Sequence, residues 1–156
     1  MIPTPMADAL LRLDDFIPFR LSITSNLVSE TIAGTYQALF GLTIPEWRLI
    51  AVIAEEEGAT QQRIGQRTRM DKVTVSRAAI ALAGRGLIER RPNAEDKRSQ
   101  RLHLSAAGRA LYAQVAPKAL ELEQRILARF SKAEIETFTA MLARMDEATL
   151  AVRSEA

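Results

Sequence analysis

The sequence contains no cysteine, one histidine and one tryptophan among 156 residues. Without cysteine there are no disulfides, no thiolate metal sites and no thiol-based redox sensing. A single histidine leaves no ligand set with the spacing of a catalytic or structural metal centre. No glycine-rich phosphate loop precedes a helix, and serine–histidine catalysis would have to recruit His103 from a strongly basic segment. The expectation is a protein that is not an enzyme and uses no metal or cofactor. Long apolar runs are also missing: none approaches the roughly 18 residues a membrane span requires. Residues 1–13 lack the basic start, apolar core and small-residue cleavage site of a signal peptide. A cytoplasmic chain with no membrane association is expected.

What is present is ordinary globular composition, 47% hydrophobic and 26% charged, enough for one domain with a helical extension. The net charge of +2 is uninformative, but its distribution is not. From Thr60 to His103 there are eleven bases and four acids, a local charge of +7; the remainder holds ten bases and fifteen acids, or −5. A basic middle between acidic ends suits a protein that lays one surface on phosphates.

Helix signals divide the chain. Asp14 and Asp15 precede a helical stretch to Leu39, with Pro18 in its first turn and Gly41 just past its end. Thr43 and Glu46 read as a capping box opening a helix that stops at Gly58. Thr60 caps a short helix through Arg67, residues 68–70 form a turn, and Asp71 caps a helix to Arg85. Leu87 to Arg91 and Arg101 to Leu104 alternate as strands around the loop from Pro92. Ser105 opens a long helix to Phe130 that Pro117 should kink, and Ser131 with Glu134 caps the last one. The expected fold class is mainly α with a small β-hairpin wing: residues 1–42 as an N-terminal dimerisation helix, 43–104 as a winged helix-turn-helix, and 105–156 as C-terminal dimerisation helices.

The short helix, turn and following helix have helix-turn-helix spacing. Ile64 points inward and Gly65 should permit close approach of the second helix. On that helix Val75, Ala78, Ala79 and Leu82 form the buried stripe. Lys72, Val73, Thr74, Ser76 and Arg77 occupy the opposite face at its N-terminal end, where a recognition helix enters the major groove. Lysine and arginine donate to guanine or phosphate, and valine and the threonine methyl pack on thymine. In the hairpin, Leu102 and Leu104 face inward and Arg101 and His103 outward, leaving His103 a phosphate contact or no role. Lys97 and Arg98 lie at the distal end of the loop, and Arg98 is the candidate for a narrow A·T-rich minor groove. Asp96 would orient the loop or a nearby arginine.

Asp96-Lys97-Arg98-Ser99, followed by Leu102, Leu104, Ser105 and Gly108, resembles the wing of the multiple antibiotic resistance regulator (MarR) family. Lys72 to Arg77, Leu82 and Arg85-Gly86-Leu87-Ile88-Glu89-Arg90 resemble its recognition helix and first wing strand. The resemblance runs from about Phe16 to Met145, with Ser105 standing where threonine is common. It implies a homodimer with intertwined terminal helices. It assigns Lys72, Thr74, Ser76 and Arg77 to the major groove or phosphates, and Arg98 to the minor groove.

The helical stripes Ile135/Phe138/Leu142/Met145, Leu111/Val115/Leu122/Ile126 and Val28/Ile32/Tyr36/Leu39 fit either a partner chain or packing within one subunit. The two-fold symmetry of most operators favours the dimer. Pro18-Phe19-Arg20-Leu21-Ser22, Ile44-Pro45-Glu46-Trp47-Arg48 and Met70-Asp71-Lys72-Val73 look closest to a branch of the family that responds to aromatic acids, phenolic compounds or their thioesters. The partners expected are therefore double-stranded DNA at an inverted repeat, a second copy of the chain, and a small aromatic effector. Arg20 would hold the effector's carboxylate, and Phe16, Ile23, Trp47 and Tyr112 its ring. A core role for Trp47 and a surface ion pair for Arg20 are the competing readings, and a DNA-binding protein without effector is the competing function.

Overall fold

Short-range capping chemistry sets most helix starts in the computed structural model, which describes residues 10–155. After a single 3-10 turn (Leu13–Asp15), α1 spans Ile17–Phe40 and α2 Ile44–Glu55. The helix-turn-helix follows as α3 (Gln61–Thr68) and α4 (Lys72–Gly84), then β1 (Ile88–Pro92), β2 (Gln100–Leu104), α5 (Ala106–Leu127) and α6 (Lys132–Ser154). Thr43, Thr60, Asp71 and Ser131 each accept a backbone N–H three residues on, and Thr43/Glu46 and Ser131/Glu134 close full capping boxes. Each satisfies a donor that the helix itself leaves unpaired.

Several boundaries depart from expectation, each for a physical reason. Asp14 and Asp15 sit in the 3-10 turn and do not cap α1. Pro18 has no N–H and must lie in the first turn, so the helix opens only at Ile17. The second helix ends at Glu55, short of Gly58, because the chain leaves it to join the hairpin. The Gly58 N–H donates to the Leu102 carbonyl and the Leu102 N–H to the Ala59 carbonyl, both at 2.9 Å. The hairpin shifts by one residue, pairing Ile88 with Leu104 through Pro92 with Gln100. The fifth helix stops at Leu127 rather than Phe130, since Ser131 must be extended to cap α6. It runs on through Pro117.

Two compact units share the described residues, one within Met1–Ala116 and the other within Pro117–Ala156. In the first, Leu49, Ile50 and Ile53 of α2, Ile64 of α3, Val75, Ala79 and Leu82 of α4, Leu102 and Leu104 of β2 and Val115 of α5 form one buried cluster. Burial of such side chains, at about 1.5–3 kcal/mol each, drives this unit's folding. The second unit differs: no residue of α6 is buried, and Phe138, Met141, Leu142 and Met145 are all exposed. Among the described residues no single helix is long and apolar enough to cross a membrane.

The hairpin is anchored at its root. Leu102 pairs with Ala59 on the edge away from β1, and the next inward N–H on that edge, of Leu104, donates to Glu57 Oε1 at 3.0 Å. The Glu57 carboxylate thus replaces a missing backbone carbonyl in the ladder. Ser105 donates to the Gly86 carbonyl (2.6 Å) and accepts from the Gly108 N–H (3.0 Å), tying α5 to the end of the α4 turn. Gly108 lies so close to the residue before β1 that a Cβ there would fall 2.0 Å from the Leu87 carbonyl oxygen. At Gly65, expected to permit close approach of α4, a Cβ would stand 3.4 Å from the Met70 carbonyl oxygen and 3.9 Å from Val75, ordinary contacts.

Candidate nucleic-acid interface

The Asp71 carboxylate fixes the start of α4 by accepting the Thr74 N–H at 2.7 Å. That hydrogen bond, with the Arg77 charge nearby, holds Asp71 below its ordinary value of 3.8. A carboxylate depressed on folding contributes stability above its unfolded value, and the contribution disappears as pH falls through the folded value. Acid titration of stability should therefore steepen below about pH 4. Asp71→Asn, which keeps a capping oxygen without the charge, should flatten that dependence when unfolding is followed by circular dichroism. Asp71→Ala should destabilise the fold at neutral pH as well.

Along α4, Val75, Ala78, Ala79 and Leu82 are buried. Lys72, Val73 and Arg77 are exposed on the same N-terminal end, and Thr74 and Ser76 are half-buried beside them. The structure therefore brings the five expected side chains of this helix to one end of it. The loop between β1 and β2 carries Lys97 and Arg98, both exposed. Its backbone is held by Asp96, whose Oδ1 accepts the Arg98 N–H at 2.9 Å and whose carbonyl accepts the Ser99 N–H at 3.2 Å.

Counting charge along the sequence overstates the free bases. Arg63 makes a two-point contact with Glu56 (2.9 and 3.0 Å), which lowers the Glu56 pKa and raises that of Arg63. Arg67 pairs with Glu55 and Glu56. Arg85 donates to the Phe40 carbonyl at 2.7 Å, closing the end of α1. Arg91 pairs with Glu89, and Arg101 binds Glu95 and the Gly58 carbonyl. Lys72, Arg77, Lys97 and the Arg98 guanidinium make no ion pair with another described residue. Arg69 and Arg90 share that state and were not singled out from sequence. Arg69 closes α3 with φ of 59°, the one non-glycine residue with positive φ among those described.

His103 does not face outward as expected. Its side chain is only 16% exposed, with Nδ1 3.3 Å from Glu57 Oε1. The Ala59–Leu102 bridge places Gly58 against the imidazole, so that face of β2 is covered by the segment joining α2 and α3.

The five candidates for a small-molecule site separate into two groups. Trp47 stacks between Tyr36 (5.5 Å between ring centroids) and Tyr112 (5.7 Å). Tyr36 was read only as part of a helical stripe, because ring contacts between distant helices leave no local spacing. Burial raises its phenol pKa against the opposing effect of Arg48. Phe16, Arg20 and Ile23 lie exposed around the first turns of α1. Ile23 is about 20 Å of helix away from Tyr36.

A helix-turn-helix followed by a β-hairpin with free bases at both tips defines a winged-helix DNA-binding protein. The sequence pattern of the MarR family matches residues 40–99. A probable transcriptional regulator from Pseudomonas aeruginosa is 33% identical, with a TM-score of 0.75 over 86% of this chain and 99% of its own. A MarR/EmrR family regulator from Acinetobacter sp. ADP1 is 26% identical, with a TM-score of 0.82 over 89% of this chain and 98% of its own. The transcriptional regulator HosA of Escherichia coli O157:H7 is 28% identical across 76% of this chain and 88% of its own length. The chain belongs to the MarR family of transcriptional regulators; it binds DNA and is not an enzyme.

Proposed function

We propose that the protein is a homodimeric, ligand-responsive repressor that sits on an inverted-repeat operator. The observation that carries this reading is a contrast within residues 60–103: Arg63, Arg67, Arg85, Arg91 and Arg101 are tied to acids or carbonyls, whereas Lys72 and Arg77 at the tip of α4 and Lys97 and Arg98 in the wing loop are exposed and in no ion pair. Lys72, Val73, Thr74, Ser76 and Arg77 then read or clamp the major groove, and Lys97 and Arg98 the phosphates and minor groove beside it. A similar fold (TM-score 0.77) is seen in a regulator from Listeria monocytogenes crystallised with DNA, which supports this assignment.

Dimerisation is supported by surface that one chain leaves uncovered. A 23-residue amphipathic helix without a buried residue lacks the packing that stabilises helices in water. The first turns of α1 likewise expose Phe16, Ile17 and Leu21. On this reading residues 1–42 and 105–156 are the dimerisation elements, of which 1–9 and 156 lie outside the described residues, and the two recognition helices of the dimer would lie about 34 Å apart, one turn of DNA.

For the effector we propose an aromatic carboxylate, a phenolic compound or its CoA thioester, with Trp47 and Tyr112 as its apolar wall. Phe16, Arg20 and Ile23 join that wall only if a partner chain supplies them. The regulator PcaV of Streptomyces coelicolor, of similar fold (TM-score 0.73), was crystallised with its natural ligand. Ligand preference for one lobe spacing would lower DNA affinity by the same coupling free energy that DNA imposes on the ligand. The test is fluorescence anisotropy of bound operator titrated with aromatic acids, phenols and CoA thioesters. Release by one class, abolished in Arg20→Ala with operator binding retained, supports the effector site. No release by any class leaves a regulator without an aromatic effector.

A further inference from the structure

Asn93 is 7% exposed although its neighbours Ala94 to Arg98 are all exposed, and it is one of two buried polar side chains among the described residues. Both ends of its amide are used. Oδ1 accepts the Glu95 N–H at 3.1 Å, and Nδ2 donates to Ser99 Oγ at 3.0 Å, across the neck of the wing loop. Ser99 Oγ in turn donates to the Asp96 carbonyl at 3.4 Å, and Asp96 Oδ1 holds the Arg98 N–H at 2.9 Å. A continuous chain of hydrogen bonds therefore runs from Asn93 through Ser99 and Asp96 to the backbone of Arg98. None of these groups has a charge to offer DNA except Asp96, which phosphates would repel.

We infer that Asn93 is a positioning residue for DNA binding: it clamps the neck of the wing so that Arg98 is presented in one direction before DNA arrives. The inference rests on the reading of Arg98 as a groove contact. Pre-ordering the loop matters because a free seven-residue loop must otherwise lose its conformational freedom on binding. Aspartate at the position keeps the acceptor for Glu95 but loses the Nδ2 donor; a Ser99 hydroxyl turned toward its carboxylate would give up the Asp96 carbonyl and break the chain of bonds.

The test is a double-mutant cycle on the inverted repeat selected from random DNA, read by anisotropy, with thermal unfolding measured alongside. Arg98→Ala should weaken binding about tenfold, and Asn93→Ala about fivefold with a fall in Tm of under about 3 °C. Ser99→Ala should match Asn93→Ala. In the Arg98→Ala background, Asn93→Ala should cost less than about twofold, since the clamp then has nothing to present. Full additivity of the two losses would overturn the inference while leaving the Arg98 contact intact. Arg98→Ala within about twofold of wild type would remove the contact itself, and the clamp's purpose with it. Loss of discrimination between A·T-rich and G·C-rich flanks in Asn93→Ala supports the clamp, because a merely structural defect would weaken all sequences alike.

Discussion

Gly108→Ala is expected to be among the most damaging single-methyl substitutions in this chain. The added Cβ would stand 2.0 Å from the Leu87 carbonyl oxygen and 3.1 Å from its carbon, neither of which is a flexible side-chain end. Relief requires α5 to lift from the start of the hairpin. That movement would stretch the Ser105 N–H to Leu87 carbonyl bond (3.1 Å) and the Ser105 hydroxyl bond to Gly86. Overpacking of this kind costs about 3 kcal/mol or more, which for a chain of this size lowers Tm by roughly 6–12 °C. Gly65→Ala is the contrasting case. There the methyl meets only ordinary contacts, and replacing a mid-helix glycine gains up to about 1 kcal/mol, so Tm should hold or rise. Differential scanning fluorimetry of the two variants separates a glycine required by packing from one that is not.

The second large effect concerns DNA. Arg77→Ala and Arg63→Ala remove the same charge from neighbouring helices, yet their environments differ. Arg63 is held by Glu56 at two points, whereas Arg77 is exposed at the end of α4 and forms no ion pair. Arg77→Ala should weaken operator binding by about 10- to 100-fold, the range of one good groove contact. Arg63→Ala should stay within about threefold, because its charge is already neutralised by a carboxylate at contact distance. Equal losses would mean that bulk charge rather than placement governs binding.

These contrasts mark where the fold was legible in the sequence. Thr43, Thr60, Asp71 and Ser131 could be read as caps because each bond spans three residues and depends on nothing distant. The inward stripe of α4 was equally local. The early end of α2 was not, since it depends on Ala59 pairing with Leu102, 43 residues away. The same holds for His103, whose covering segment arrives through that bridge, and for Arg85, whose acceptors at Phe40 and Gly41 lie on another element. Within the interface, residue type and helical position sufficed to propose Lys72, Thr74 and Arg77. Which other bases are neutralised could not be read, because Glu55 and Glu56 reach Arg63 and Arg67 only once α2 and α3 pack. The aromatic stack shows the same limit: residue type points to Trp47 and Tyr112, while Tyr36 of α1, which stacks on Trp47 of α2, emerges only from the packing.

In the proposed complex two copies of the chain present the tips of α4 and the wing to one face of duplex DNA. Selection of bound sequences from a random duplex library by the 156-residue chain is the decisive test. The expected outcome is enrichment of an inverted repeat whose half-sites are centred about 10 base pairs apart, with A·T-rich sequence where each wing falls. Enrichment of a lone half-site, or of no motif above background, would contradict it.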